Sequence, residues 1–256
     1  MGRGLRIAEL IRKEFYQKGR IDYSTIEAIC YSKKAFVKED KISGAQGRIL
    51  FSKNCETSII TINSDISYHP KKKFVLAHEL GHQLMHFRKM NFLCNDNDLN
   101  TWSSNNKYEF EANEFAAELL MPKALIINIS NSKSFSANDI INIANELGSS
   151  ITSSSIQYTK YGHFPLCILV STNDKIDWYS RSDDFYIRHF VKGEALPNNS
   201  IANHYFKKGI KKEGRQVCLA TQWDPNQKPD KYFYEECYFL DSHNSVITYL
   251  WPCDDY

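Results

Sequence analysis

No C-x-x-C pair occurs among the seven cysteines of this 256-residue chain. Cys30, Cys55, Cys94, Cys167, Cys218, Cys237 and Cys253 are odd in number and widely scattered. That speaks against a disulfide framework and against a cysteine-only zinc knuckle, and reads as reduced thiols in cores. A long apolar run is also lacking. The N-terminal "MGRGLRIAELIRKEFYQKGRID" has no uninterrupted apolar core of the signal-peptide kind, and no stretch approaches the roughly 18 apolar residues of a membrane span. A cytoplasmic protein with no membrane partner is expected. Charge of one sign is missing too: 32 Lys and Arg against 30 Asp and Glu leave a formal +2, with no global pull toward nucleic acid or anionic lipid. Hydrophobic content of 42% is that of a soluble globular chain, long enough for one large domain or two smaller ones.

What is present is organised. Leu5, Ala8, Leu10, Ile11 and Phe15 have helical spacing up to the break at Gly19, and a second helical stretch is predicted from about Tyr23 to Phe36. The runs "GRILFS" and "TSIITIN", separated by "KNCE", read as a short antiparallel pair. After "NSDISYHP" the period changes to 3.6, with Pro70 suited to a first helical turn. On the helix predicted over about Pro70 to Phe87, Leu76, Leu80, Leu84 and Phe87 form a core stripe. His78, Glu79 and His82 share another arc, next to Val75 and His86.

His78-Glu79-Leu80-Gly81-His82 matches H-E-x-x-H. Residues one turn apart on a helix can bring both imidazoles to one tetrahedral zinc, with Zn–N about 2.0–2.1 Å. The adjacent glutamate can then take a proton from water that attacks a carbonyl. Five residues alone do not decide a metal site; a third ligand does. His86 is a poor one, because it lies about 12 Å along the axis from His78, and no metzincin glycine and histidine follow. It reads as a residue behind a ligand, on the substrate side, or simply packed. Cys94, shortly after the cluster, is near enough in sequence to approach a metal but reads as a buried or incidental thiol.

The segment "NNKYEFEANEFAAELLMP" is predicted as a helix entered through Asn105 or Asn106 and stopped by Pro122. Glu109 shares a face with Ala112, Asn113, Ala116 and Leu120, whereas Glu111, Glu114 and Glu118 fall on the opposite face and read as a solvated stripe. Glu109 is therefore the candidate third ligand, although it could instead complete a capping box with Asn106. A glutamate followed one turn later by Asp or Asn resembles thermolysin-like zinc enzymes, in which the second residue braces a histidine ligand. Asn113 would play that part here, accepting from His78 or His82.

"FVLAHELGHQLMH" followed by "EFEANEFAAELLMP", with "TINSD" before them, resembles the ImmA/IrrE family of metallo-endopeptidases over about Ile42 to Pro122. The resemblance implies one catalytic zinc held by His78, His82 and Glu109, Glu79 as the catalytic base, and a protein substrate that is often a helix-turn-helix repressor.

In "SANDIINIANELGSSITSSSIQYTKYG", a helix capped from Ser136 (Asn138 to Leu147), a turn at Gly148 and a second helix to about Tyr161 have helix-turn-helix spacing. The second helix offers chiefly Thr152, Ser153, Ser154, Ser155, Gln157 and Lys160, a poor DNA-reading surface, so nucleic acid is not an expected partner. From about His163, "FPLCILVST", "KIDWYSR", "RQVCLATQW", "KYFYEECYFL" and "SVITYLW" read as strands. Turns fall near Asn173-Asp174 and His243-Asn244, and one short helix, Ile201 to Lys208, is capped by Ser200. "KKGIKKEGR" reads as a solvated loop.

The expected fold class is α+β. A zincin-like catalytic domain (residues 1–122) carries a small sheet and the H-E-x-x-H helix. A helical, helix-turn-helix-like segment (123–162) and a C-terminal antiparallel-sheet domain (163–256), serving as sensor or substrate binder, follow. The expected activity is zinc-dependent peptide-bond hydrolysis; the alternatives are a DNA-binding regulator and a toxin or interaction module.

Overall fold

The computed structural model describes residues 2–52, 56–87, 107–130, 134–240 and 244–253, with the backbone alone at 92–94. The fold is mixed α+β with two sheets. It divides into two compact units, Met1–Leu125 with Ala144–Ser150, and Ile126–Ile143 with Ile151–Tyr256. No helix among the described residues is long and apolar enough to cross a membrane.

The first unit opens with helices α1 (Arg3–Glu14) and α2 (Tyr23–Ser32), then strands β1 (Ala35–Asp40), β2 (Gly47–Phe51) and β3 (Ser58–Asn63). Helix α3 (His69–His86), strand β4 (Phe92–Cys94) and helix α4 (Lys107–Leu120) follow. The sheet order is β1-β3-β2-β4. Strands β2 and β3 pair antiparallel, as their alternation suggests, with Ile49 opposite Ile60. The second helix is shorter than expected: Phe36 lies in β1, which pairs parallel to β3 opposite Ile59. Lys34, with φ 60°, turns the chain out of the helix, and the aromatic and β-branched Phe36-Val37 pair then takes up a strand ladder.

Ile49, Ile60 and Ile62 are buried on this sheet, and α3 packs across β2 and β3. Gln83 ties that packing down: it accepts from Ser58 Oγ at 2.6 Å and donates to the Lys33 carbonyl at 2.9 Å. Leu76 and Leu80 are buried as expected, whereas Leu84 is only half-buried. Helix α4 is packed on two sides, by α3 and by α1.

This double packing corrects the reading of the α4 glutamates. Glu111 and Glu118 are buried rather than solvated, and Glu114 is half-buried, because α1 covers the face that a helical wheel assigns to water. Arg3 pairs with Glu111, and the buried Arg12 guanidinium donates to the Leu119 and Gly19 carbonyls. Several sequence-based expectations lie outside the described residues: the N-cap at Asn105 or Asn106, Cys55, the side chain of Cys94, and His243.

Helix α5 (Lys123–Ile129) follows α4, then α6 (Ala137–Leu147) and α7 (Ile151–Tyr161). The backbone N–H of Ser136 donates to Asp139 Oδ2 at 2.9 Å, which closes the start of α6.

In the second unit, α7 packs on strands β5 (Cys167–Thr172) and β6 (Lys175–Arg181). Its hydroxyl face turns inward. Ser154, Ser155, Gln157 and Thr159 are buried, Ser155 Oγ meets the Tyr249 hydroxyl at 3.1 Å, and Thr159 Oγ1 meets Ser180 Oγ at 3.0 Å. Helix α8 (Ile201–Lys208) is capped as expected, with Ser200 Oγ accepting from the Asn203 amide at 3.1 Å. The remaining elements are β7 (Gln216–Leu219), the one-turn helix α9 (Ala220–Trp223), β8 (Tyr232–Leu240) and β9 (Ser245–Pro252). Helix α9 stands where the run "RQVCLATQW" suggested continuous strand.

The sheet is antiparallel in the order β6-β5-β9-β8-β7, and Leu169, Phe185, Phe233, Val246 and Leu250 belong to its core. Asn173 and Asp174, both left-handed with φ 50° and 61°, make the two-residue turn between β5 and β6, a conformation these side chains tolerate. The "KKGIKKEGR" stretch is exposed throughout; its first two lysines end α8 and the rest is a solvated loop.

Candidate metal centre

Helix α3 has Pro70 in its first turn and is buried from Val75 through His82. It approaches α4 at Gly81. A Cβ there would stand 2.9 Å from Phe115 Cδ1 and 3.3 Å from Ala112 Cα, so the absence of a side chain sets the helix separation. One turn apart on α3, His78 Nε2 and His82 Nε2 are 3.0 Å apart. Glu109, one turn earlier on α4 than Asn113, reaches both: Oε2 is 3.1 Å from His78 Nε2 and Oε1 is 3.4 Å from His82 Nε2. Among the described residues His78, His82 and Glu109 are the one grouping of three or more His, Cys, Asp or Glu donors suited to a metal.

The hydrogen-bond partners of the rings constrain where their protons sit. Asn113 Oδ1 lies 2.9 Å from His78 Nδ1, and because an amide oxygen only accepts, Nδ1 carries the hydrogen and Nε2 of the neutral ring is bare. His86 Nε2 is 3.0 Å from Glu111 Oε2, so His86 donates there and its Nδ1 accepts from His82 Nδ1 at 3.0 Å. His82 Nε2 is then bare as well. Two imidazole lone pairs and a carboxylate converge in a buried space with no proton between them, which is unfavourable unless a cation joins them. Their mutual spacing of 3.0–3.4 Å suits the edge of about 3.3 Å of a tetrahedron whose centre is about 2.0–2.1 Å from each donor. The donor set fits zinc.

The His82 ring is neutral on electrostatic grounds too. Burial holds the His82 ring at about 4, below its ordinary value, so the imidazole is the neutral form a metal needs. Burial by itself raises the Glu109 carboxyl, and a ring proton on His78 or His82 facing it would lower it; a cation at the same place would have the same sign of effect.

Glu79 is completely buried, and neither of its oxygens has a hydrogen-bond partner among the described residues. Burial, followed by repulsion from Glu109, pushes its carboxyl well above the usual range. Space for it comes from β2: a Cβ on Gly47 would stand 2.5 Å from Glu79 Oε1. Gly47 is positioned in turn by Asn63, whose side chain donates to the Ile42 and Ala45 carbonyls at 3.0 and 2.9 Å. Asn63 belongs to the "TINSD" stretch. The sequence carries no local signal for Gly47, Glu111 or the bracing role of Asn63, since each acts across elements far apart in the chain.

The description of an IrrE N-terminal-like domain, peptidase M78, fits residues 37–153. Residues 37–153 thus match an ImmA/IrrE-type domain. Relatives of part of this chain include "Uncharacterized immunity region protein 2" of Bacillus phage phi105, 38% identical over 81 residues, which cover 32% of this chain and 48% of that protein. "Metallopeptidase ImmA" of Bacillus subtilis (strain 168) is 27% identical over 110 residues, covering 40% and 57%. The matches therefore span about half the length of each of these relatives. A solved structure, a Mycobacterium tuberculosis transcriptional regulator, superposes with a TM-score of 0.64 at 13% identity, covering 99% of this chain and 77% of that one. That likeness concerns the fold.

Proposed function

We propose that this chain is a zinc-dependent endopeptidase that hydrolyses a peptide bond in a specific cellular protein of the helix-turn-helix repressor type. The observation that carries the reading is the convergence of two imidazole nitrogens and the Glu109 carboxylate beside a buried Glu79 with no hydrogen-bond partner among the described residues. His78, His82 and Glu109 are the ligands, and Asn113 fixes the ring of His78. Zinc, when bound, supplies positive charge that polarises a carbonyl and acidifies water. Glu79 is the general base: its carboxylate takes a proton from the attacking water and returns it to the leaving amine. A cation at the neighbouring donors favours the ionised Glu79 that this role needs, against the burial that disfavours it. The first unit is the catalytic one, and the five-stranded unit binds substrate or senses a signal. The DNA-binding alternative draws no support from α7, whose Ser154, Ser155 and Gln157 are buried.

The test pairs two variants. Glu79→Gln should retain one zinc per chain and lose cleavage of a repressor encoded beside this gene; Glu109→Ala should lose zinc. Undiminished cleavage by the Glu79 variant would sink the mechanism, and undiminished zinc content in the Glu109 variant would remove that residue from the site.

A further inference from the structure

Behind His82 the first unit holds a second buried pair to which the peptidase reading assigns no part of its own. His86 is fully buried, and its ring lies between His82 and Glu111, with Nδ1 3.0 Å from His82 Nδ1 and Nε2 3.0 Å from Glu111 Oε2. Tyr108 packs against the ring, its centroid 4.9 Å away. Glu111 is held from the far side by Arg3, whose Nη1 is 3.4 Å from Oε2 while Nη2 donates to the Met85 carbonyl at 2.9 Å. Lys107, one turn earlier on α4, adds a longer contact of 3.8 Å to Oε1.

We propose that His86 and Glu111 are positioning residues that select the tautomer of His82, so that Glu111, His86 and His82 form a directed hydrogen-bond chain ending at the metal centre. The direction follows from valence. A carboxylate can only accept, so His86 must donate through Nε2; a neutral ring then has an acceptor at Nδ1, and His82 must donate through its own Nδ1. Only this arrangement leaves His82 Nε2 bare toward His78 and Glu109. A histidine ligand commonly gives its second N–H to a carboxylate or carbonyl, which fixes ring orientation and raises its basicity. Here a whole imidazole is inserted between the ligand and the carboxylate. Arg3 extends the arrangement to α1, so the N-terminal helix is connected to the metal centre without touching it.

This inference rests on the metal-centre reading, and the experiment separates the two. Zinc affinity is measured by chelator competition for the wild type, His86→Phe, His86→Asn, Glu111→Met and His78→Ala, alongside the tautomer of His82 by nitrogen-15 NMR of the zinc-free protein. His86→Phe keeps a flat, apolar-compatible ring but removes the acceptor, and Glu111→Met removes the far end. Each should weaken zinc about 10- to 100-fold, the usual cost of losing such a partner, and each should shift His82 away from the Nδ1–H form. His86→Asn, whose Oδ1 can stand where Nδ1 stood, should recover much of the loss seen with phenylalanine, which a packing role would not explain. If His86→Phe and Glu111→Met bind zinc as the wild type does while His78→Ala does not, the chain is overturned and the metal centre stands. If Glu111→Met alone folds, its zinc affinity and the His82 signal decide the question in the same way. Wild-type affinity in His78→Ala would overturn the centre itself.

Discussion

Gly47 on β2 and Glu79 on α3 are in such close apposition that a Cβ on the glycine would lie 2.5 Å from Glu79 Oε1 and 2.7 Å from Val75 Cγ1. The strand thereby leaves the proposed base a buried position with room for nothing larger. Gly47→Ala is expected to displace the carboxylate while leaving His78, His82 and Glu109 in place. Cleavage should fall by about 100-fold, the order of loss that follows an ångström of misplacement, with zinc stoichiometry unchanged. Normal turnover in this variant would show that Glu79 tolerates displacement and is not the base.

Gly81 gives a prediction whose sign runs against helix propensity. On an exposed helix Gly→Ala stabilises by about 1 kcal/mol. Here the new methyl group would meet Phe115 Cδ1 at 2.9 Å and Ala112 Cα at 3.3 Å, and such overpacking costs about 1–3 kcal/mol. Gly81→Ala should therefore lower the midpoint of urea unfolding and weaken zinc, because α4 carries Glu109. A raised midpoint would mean that α3 and α4 can separate freely.

Arg12 spans the first unit from α1 to the end of α4 and to the loop at Gly19. Arg12→Met retains most of the side-chain volume and leaves the Leu119 and Gly19 carbonyls without their charged donor. A loss of about 2–3 kcal/mol is expected, as for a buried hydrogen bond to a charged group. Calorimetric melting of the two proteins side by side would reveal it.

Glu235 is a buried carboxyl at the N-terminus of α8, accepting from the Ile201 amide at 2.7 Å and from Gln216 Nε2 at 3.0 Å. Burial pushes it up to about 7 from an ordinary 4.5, with these hydrogen bonds opposing the rise. The folded state thus holds the proton more tightly than the unfolded one. Its contribution to stability is complete below about 4.5 and is lost as pH rises through about 7. Glu235→Gln should flatten that part of the stability profile, measured as urea midpoints between pH 4 and pH 8; an identical slope in both proteins would refute the assignment.

Much of the centre was legible because it is local. His78 and His82 are one turn apart on a single helix, and Asn113 follows Glu109 by one turn on another, so a helical period places each pair on a face. The strand pair β2–β3, the Asn173-Asp174 turn and the Ser200 cap were readable for the same reason. The parallel partner β1 was not, because parallel pairing joins segments distant in sequence and leaves no hairpin signal.

By itself, then, the sequence determined the His78–His82 pair, the adjacent Glu79 and the helices that carry them, all properties of spacing within one element. Only the tertiary structure decided which faces are covered. A wheel assumes one buried side, but α4 is packed by both α3 and α1, and that second contact turns Glu111 from a surface charge into the buried partner of His86. The approach of Gly47 to Glu79 was likewise settled by how a strand and a helix pack, a relation that no periodicity within either element records.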